Sequence, residues 1–397
     1  MRWIVLPLLI CAGVAVRAAE VEPWPLPAQG WSAQPNIAAA ADGAVHLSWI
    51  EKDGQDHVLR HVRHDAGGFG AVHVAARGSD WFVNWADFPS LAVLENGDIV
   101  SFVLAKSAEA TYAYDVKLVR SRDGGASFSP PQAVHEDGTP TEHGFVSLLP
   151  WRDDTVLVAW LDGRNTAGGH GHGGAGGGAM GLRAALVGRD GKQQEWALDD
   201  RVCDCCQTAA GRTPGGAVVV FRDRSQGEVR DIAHTRLAGG QWSAPAPVHA
   251  DGWTMPACPV NGPALDARGE QVHVAWYTAA DDAPAVRLAR SDDGGAAFAP
   301  PLELARGAHV QGRVDVERLG DRVLVSWIGE DEQGQTLWLS RVDAAASKEL
   351  ERVEVARLPR GHGTGFPRMA VVGETVHLVY TDIVDRQPQV RGARVRF

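Results

Sequence analysis

One strand-like stretch returns seven times along the chain, and this periodicity constrains the fold more than any other feature. The copies read GAVHLSWI, GDIVSFVL, DTVLVAWL, GGAVVVFR, EQVHVAWY, DRVLVSWI and ETVHLVYT. Aligned on their last large side chain, they bring Trp49, Val103, Trp160, Phe221, Trp276, Trp327 and Tyr380 into register. The spacings are 54, 57, 61, 55, 51 and 53 residues. Each copy alternates or runs apolar over about six residues and is rich in Val and Leu, which is strand chemistry.

The same order of elements returns around each copy. A strand often preceded by proline comes first (PSLAVLE, GPALDA, FPRMAVV), then the aligned strand, then a third such as VKLVRS or VRLARS, then a short fourth such as QAVHE. Four antiparallel strands every ~50 residues describe a β-propeller blade. The spacing predicts an all-β, seven-bladed propeller spanning residues 20–397 as one domain, in preference to a sandwich pair or a solenoid. The seventh copy has only three strands before Phe397, so the N-terminal VEPWPLP is expected to supply its fourth and close the ring. With 46 Gly, 22 Pro and 45% hydrophobic residues, the composition suits a large, turn-rich core.

Two turns between third and fourth strands are nearly identical, SRDGGASFSPP from Ser121 and SDDGGAAFAPP from Ser291. They resemble the Asp box, or BNR repeat, of sialidases, Ser-x-Asp-x-Gly-x-Thr-Trp, through Ser121, Asp123, Gly125, Ser127 and Phe128, and again through Ser291, Asp293, Gly295, Ala297 and Phe298. The local logic is an Asp that accepts turn N–H groups, glycines at positive φ and an aromatic anchor. The resemblance implies a propeller, with six blades as the family's usual number and the alternative to seven here. It also implies that these turns lie opposite the functional face.

The likeness extends to FRDRSQGEVRDIAHTRLAGGQWSAP, Phe221 to Pro245, which is similar to the sialidase stretch that places an arginine on a substrate carboxylate. It implies ligand contact for Arg222 or Arg224 and for Arg230, with Asp223 and Asp231 beside them. Where the family carries a Phe-Arg-Ile-Pro motif, this chain reads DFPS, with Asp87 at the arginine's position. Cys206 and Gln207 stand nearest to the place of the family's glutamate, and Tyr380 is the tyrosine to compare with its nucleophile. The catalytic candidates are therefore Asp87, Arg222, Arg230 and Tyr380, with Asp80 as an alternative acid. Reversal of one charge and loss of the Glu–Tyr couple argue for a non-hydrolytic protein. An exo-α-sialidase-like glycoside hydrolase with substituted catalytic residues is the alternative.

Strand order alone sorts the loops. Those between second and third strands, and those between blades, open on one face; the Asp-box turns open on the other. The first face gathers Cys203, Cys205, Cys206 and Cys258, together with His170 and His172 of the glycine-rich loop of blade three. Thiols and imidazoles are soft ligands, so this set is the candidate site for copper or zinc. Disulfide stapling is the competing reading. Bridges within the cluster are strained, so one bridge from Cys258 to a cluster member is expected, leaving two thiols. Trp81, Trp85 and Trp253 share the face, either stacking on a sugar or capping the core, and Trp85 is the ligand-binding candidate.

The first 19 residues, MRWIVLPLLICAGVAVRAA, have the charge, apolar core and small-residue order of a signal peptide. Cys11 follows the bulky Ile10, which argues against lipidation. No later apolar run is long enough to span a membrane. A secreted or periplasmic monomer is expected. With a net charge of −11 and no basic cluster, nucleic acid is excluded as a partner. The expected partner is a metal, a small anion or a glycan on the open face.

Overall fold

The computed structural model describes residues 19–166 and 178–397. Their strands form seven antiparallel sheets, six of them four- or five-stranded meanders in chain order and the seventh closed by the N-terminus. The ring has seven blades, as the repeat predicts, and not six. Blade one is built on Ser32–Ala39, Val45–Asp53 and Asp56–Asp65, blade two on Leu91–Val93, Ile99–Lys106 and Tyr114–Ser121, and blade three on His143–Arg152, Thr155–Asp162, Gly181–Gly188 and Gly191–Asp199. In blades one and four the outer strand is split in two (Gly68–Phe69 with His73–Gly78, Gln241–Trp242 with Ala246–Pro247).

The innermost strands touch in chain order, and the last, Arg368–Val372, touches the first, Ser32–Ala39. Closure is strand-mediated: Glu20–Pro23 pairs antiparallel with Gln387–Arg396 as the outer strand of blade seven. Trp24 continues the pairing through its N–H to Gly392 O at 2.8 Å and is buried against Ile37, Trp49 and Val379, between blades seven and one. An edge that finds its partner in the other terminus leaves the ring without an open end.

The seven aligned residues occupy the second strand of each blade. Six are fully buried, and Tyr380 is half-buried against the core shared by blades six and seven. Seven apolar clusters form among the described residues, one at each blade interface. The indoles are anchored as well as packed: Trp49 Nε1 donates to Glu51, Trp160 to Asp162 and Trp276 to Asp251, at 2.7–2.8 Å. No helix among the described residues is long and apolar enough to cross a membrane.

The repeated turns lie between third and fourth strands. Ser121 Oγ donates to Asp123 and accepts the Gly125 N–H at 2.8 Å, while Asp123 Oδ1 accepts the Ser127 N–H at 2.9 Å. Ser291 and Asp293 repeat these bonds. Gly125 has φ +95°, and a Cβ there would stand 2.1 Å from His61 Cε1. Gly125→Ala is therefore expected to cost about 1–3 kcal/mol through backbone strain, before the clash is counted. Urea unfolding of the variant checks this, and an unchanged midpoint would refute it.

Candidate functional site

The segment from Arg201 to Thr208 carries the chain from blade three into blade four over the upper rim. Its backbone is tied down by Val202 N–H to Met180 O at 2.8 Å and Cys203 N–H to Arg222 O at 3.0 Å. This tether points three cysteines at one another. Cys203 Sγ lies 3.4 Å from Cys206 Sγ and 3.8 Å from Cys205 Sγ. Cys258, from the connection into blade five, hydrogen-bonds Cys205. None of these four is joined in a disulfide, so the expected bridge from Cys258 is not formed in this structure. The sulfurs stand well beyond the ~2.05 Å of an S–S bond.

The spacing suits a metal better. Thiolates around a tetrahedral centre with bonds of about 2.3 Å stand about 3.8 Å apart, and around a trigonal one about 4.0 Å. All three ligand atoms of Cys203, Cys205 and Cys206 fall within 4.8 Å of one another. Charge is prepared too. Burial opposes ionisation of Cys203, but hydrogen bonds from the Cys205 and Cys206 thiols and the Arg230 guanidinium outweigh it, holding this thiol well below its ordinary value. Arg230 Nη1 donates to Cys203 Sγ at 3.1 Å. Burial, and then the Cys203 sulfur, push Cys205 and Cys206 upward. Ionisation of the cluster is therefore easiest at Cys203, beside the guanidinium.

The arginines lie on the same rim but turn inward. Arg222, 1% exposed, donates to Asn261 O, Arg230 O and Tyr277 O at 2.6–2.9 Å and lies over the Trp253 ring. Arg224 pairs with Asp204 at 3.2 Å and Glu228 at 2.8 Å, and Glu228 also takes Arg230 at 2.7 Å. Asp231 accepts the N–H groups of Gly252 and Trp253, fixing the next loop. Asp223 accepts the Arg224 N–H at 2.7 Å, and burial raises its carboxyl to about 6. Glu228, which binds both guanidinium groups beside the cluster, escaped the sequence reading.

Beside the thiols opens a cavity of about 300 Å³, lined among others by Trp85, Asp87, Glu142, Asp204, Cys205 and Cys258. Tyr380 and Asp80 are not part of it; Asp80 is exposed on the rim. Trp85 also lines a neighbouring apolar cavity of about 210 Å³ and stacks on His362. His170 and His172 lie outside the described residues.

The cavity wall holds an arrangement the sequence did not disclose. Tyr114 Oη lies 2.8 Å from Asp87 Oδ2 and 2.7 Å from Glu142 Oε1, with all three side chains buried. A phenol has one hydrogen to donate, so two such contacts require a second hydrogen on a carboxyl. Consistent with this, burial raises Asp87 to about 7 against the pull of the Phe145 N–H and Tyr114. Burial, with the Asp87 and Asp204 charges, raises Glu142 to about 8. Tyr114 itself is driven well above its ordinary value, by burial and then by the two carboxylates. Both loops that carry Tyr114 and Glu142 belong to the face sorted from strand order, and that is the signal that could have found them.

This triad predicts a pH signature. The folded chain keeps a proton on Asp87 that the unfolded chain releases above about pH 4. The folded state therefore binds more protons, and this contribution to stability is lost as pH rises from about 4 through 7. Asp87→Asn removes that titration, so the variant gains stability relative to wild type over this range and the difference levels off above it. Glu317, raised to about 8 by burial, titrates in both proteins and cancels. Urea midpoints from pH 4 to 9 decide the matter; parallel profiles would sink the assignment.

No protein-family model and no curated protein matches the chain. Solved structures do. A protein of unknown function from Dyadobacter fermentans DSM 18053 is 14% identical, with 92% of this chain and 95% of that one covered and a TM-score of 0.53. The polysaccharide lyase Uly1 is 8% identical over 91% and 89%, with a TM-score of 0.52. The NanB sialidase of Streptococcus pneumoniae, as its K499G mutant, is 8% identical over 95% and 94%, with a TM-score of 0.50. At these identities the likeness is one of fold: the chain shares its propeller with a sialidase and a polysaccharide lyase.

Proposed function

We propose that the protein is an exported, non-hydrolytic propeller that binds a soft metal ion, Cu(I) or zinc, on Cys203, Cys205 and Cys206, with Cys258 as the fourth sulfur. The carrying observation is that Cys203 Sγ lies 3.4 Å from Cys206 Sγ and 3.8 Å from Cys205 Sγ and accepts from Arg230 Nη1 at 3.1 Å. Thiolate-rich sites select such metals over hard cations. Arg230 offsets the negative charge that a thiolate-bound metal retains. The N-terminal pattern of residues 1–19 supports export. Binding displaces the thiol protons of Cys205 and Cys206, so affinity rises with pH. Anaerobic titration with Cu(I) against a chromophoric chelator, with sulfur scattering read by X-ray absorption, tests this reading. One equivalent bound through sulfur supports it, and failure to compete with the chelator ends it.

A second reading is favoured by one observation, the hydrogen-bonded chain of Asp87, Tyr114 and Glu142, whose two carboxyl residues line the cavity. A carboxylic acid kept protonated near neutrality is what general acid catalysis on a glycan requires. The named activities of the sialidase and the lyase that share the fold make acidic glycans the first substrates to assay. Turnover abolished by Glu142→Gln but retained without the cysteines would establish this reading in place of the first.

A further inference from the structure

The same upper rim carries a second cluster, at the interface of blades two and three. His135 follows the short outer strand of blade two, Gln132–Ala133, and His143 opens the innermost strand of blade three. Their rings stack with centroids 3.7 Å apart and planes 10° from parallel. Both side chains are buried, His143 entirely. Around them stand Asp115 from the third strand of blade two, Asp137 from the connecting loop, and Asp162 from the end of the second strand of blade three.

The hydrogen bonds fix the ring tautomers. His135 Nδ1 lies 2.8 Å from Asp137 Oδ1, and His143 Nδ1 lies 3.2 Å from Thr141 O. Both partners are acceptors, so each Nδ1 carries a hydrogen, and in the neutral ring each Nε2 presents a lone pair. Both Nε2 atoms are buried and complete no hydrogen bond, although that of His143 stands 3.3 Å from Asp137 Oδ1 and 3.9 Å from Asp162 Oδ1. An imidazole whose Nδ1–H is committed to a carboxylate or a carbonyl while its Nε2 stays open is the arrangement of a metal-ligating histidine and its supporting shell.

We propose that His135 Nε2, His143 Nε2 and an Asp115 oxygen form a second metal site, for a borderline divalent ion such as zinc. Ligand atoms of these three residues lie within 4.8 Å of one another, and Asp115 Oδ1 stands 3.7 Å from His135 Nε2. Two imidazoles and one carboxylate match the ligand preference of such ions, and three protein ligands leave a coordination position open. Asp137 Oδ1 supports His135 at Nδ1, and because it also stands 3.3 Å from His143 Nε2 it must yield that nitrogen when the metal binds. Asp162 is already engaged by Arg164 through two bonds of 2.7 and 2.8 Å, and by Trp160, so it adds to the field rather than to the ligand set. A metal about 2.0–2.1 Å from both nitrogens cannot lie in the planes of two parallel rings, so binding splays the stack.

The test separates this site from the cysteine site. Zinc chloride is titrated into the full chain and into a Cys203→Ser, Cys205→Ser, Cys206→Ser variant, with the metal's ligands read by X-ray absorption. The variant is expected to keep one zinc with imidazole scattering and no sulfur. In that background, His135→Gln should abolish binding, and Asp137→Asn should weaken it by about 10–100-fold. Asp115→Asn, at a half-exposed position, guards against misfolding of the histidine variant and should weaken binding at least as much. If the cysteine variant fails to fold, absorption spectra of the zinc-loaded wild type decide instead. A pure sulfur shell in wild type, no zinc in a folded cysteine variant, or zinc affinity unmoved by Asp115→Asn would each overturn the proposal. A histidine pair that titrates with pH but takes no zinc would identify a protonated His–Asp cluster and overturn it too.

Discussion

Replacing Cys203 with serine is expected to lower Cu(I) affinity by more than about 100-fold, beyond what loss of a supporting contact costs. Cys203 is the sulfur that all the local charge converges on. It accepts from Arg230 at 3.1 Å and hydrogen-bonds both neighbouring thiols, and its backbone is pinned to Arg222 O. Serine keeps the shape and removes the soft, ionisable donor. Cys258→Ser should cost less, because Cys258 comes from a separate connection and meets the cluster at Cys205. Chelator competition on the two variants gives both numbers. Equal affinities for Cys203→Ser and wild type would place the metal elsewhere.

Arg222→Ala is expected to destabilise the fold by about 3–5 kcal/mol, among the largest effects of any single substitution here. Its guanidinium satisfies three carbonyls, Asn261 O, Arg230 O and Tyr277 O, which join the strand ends of blade four to the loop entering blade five. Alanine leaves them buried without donors and opens a cavity under Trp253, against which the guanidinium packs. Lysine should rescue little, since a single ammonium cannot reproduce the planar fork. Urea unfolding measures the loss. A variant of wild-type stability that no longer bound its ligand would return Arg222 to the ligand-contacting role implied by the sialidase resemblance.

The polar architecture was only partly legible. The sequence placed the four cysteines and Trp85 on one rim, because strand order alone decides which loops share a face. It did not reveal that Tyr114 meets Asp87 and Glu142, which are 27 and 28 residues away, or that His135 and His143 stack. Tyr114 and Asp115 are neighbours in one strand, yet Tyr114 bonds Asp87 and Glu142 in the cavity wall whereas Asp115 approaches His135 in the second cluster. Nothing local distinguishes those two environments.

By itself, the sequence determined the number of blades, the register of Trp49, Trp160, Trp276 and Trp327, and closure by the N-terminal strand. These follow from hydrophobic periodicity and chain order, which are properties of neighbouring residues. Tertiary structure alone decided which polar groups were spent on the frame and which were left for chemistry. Arg222 faces carbonyls because of where the connection into blade five passes, and Arg230 faces Cys203 because of where the connection into blade four passes. Polar side chains are assigned by whichever acceptor the packed blades bring within about 3 Å, and that is a property of the closed ring rather than of any stretch of chain.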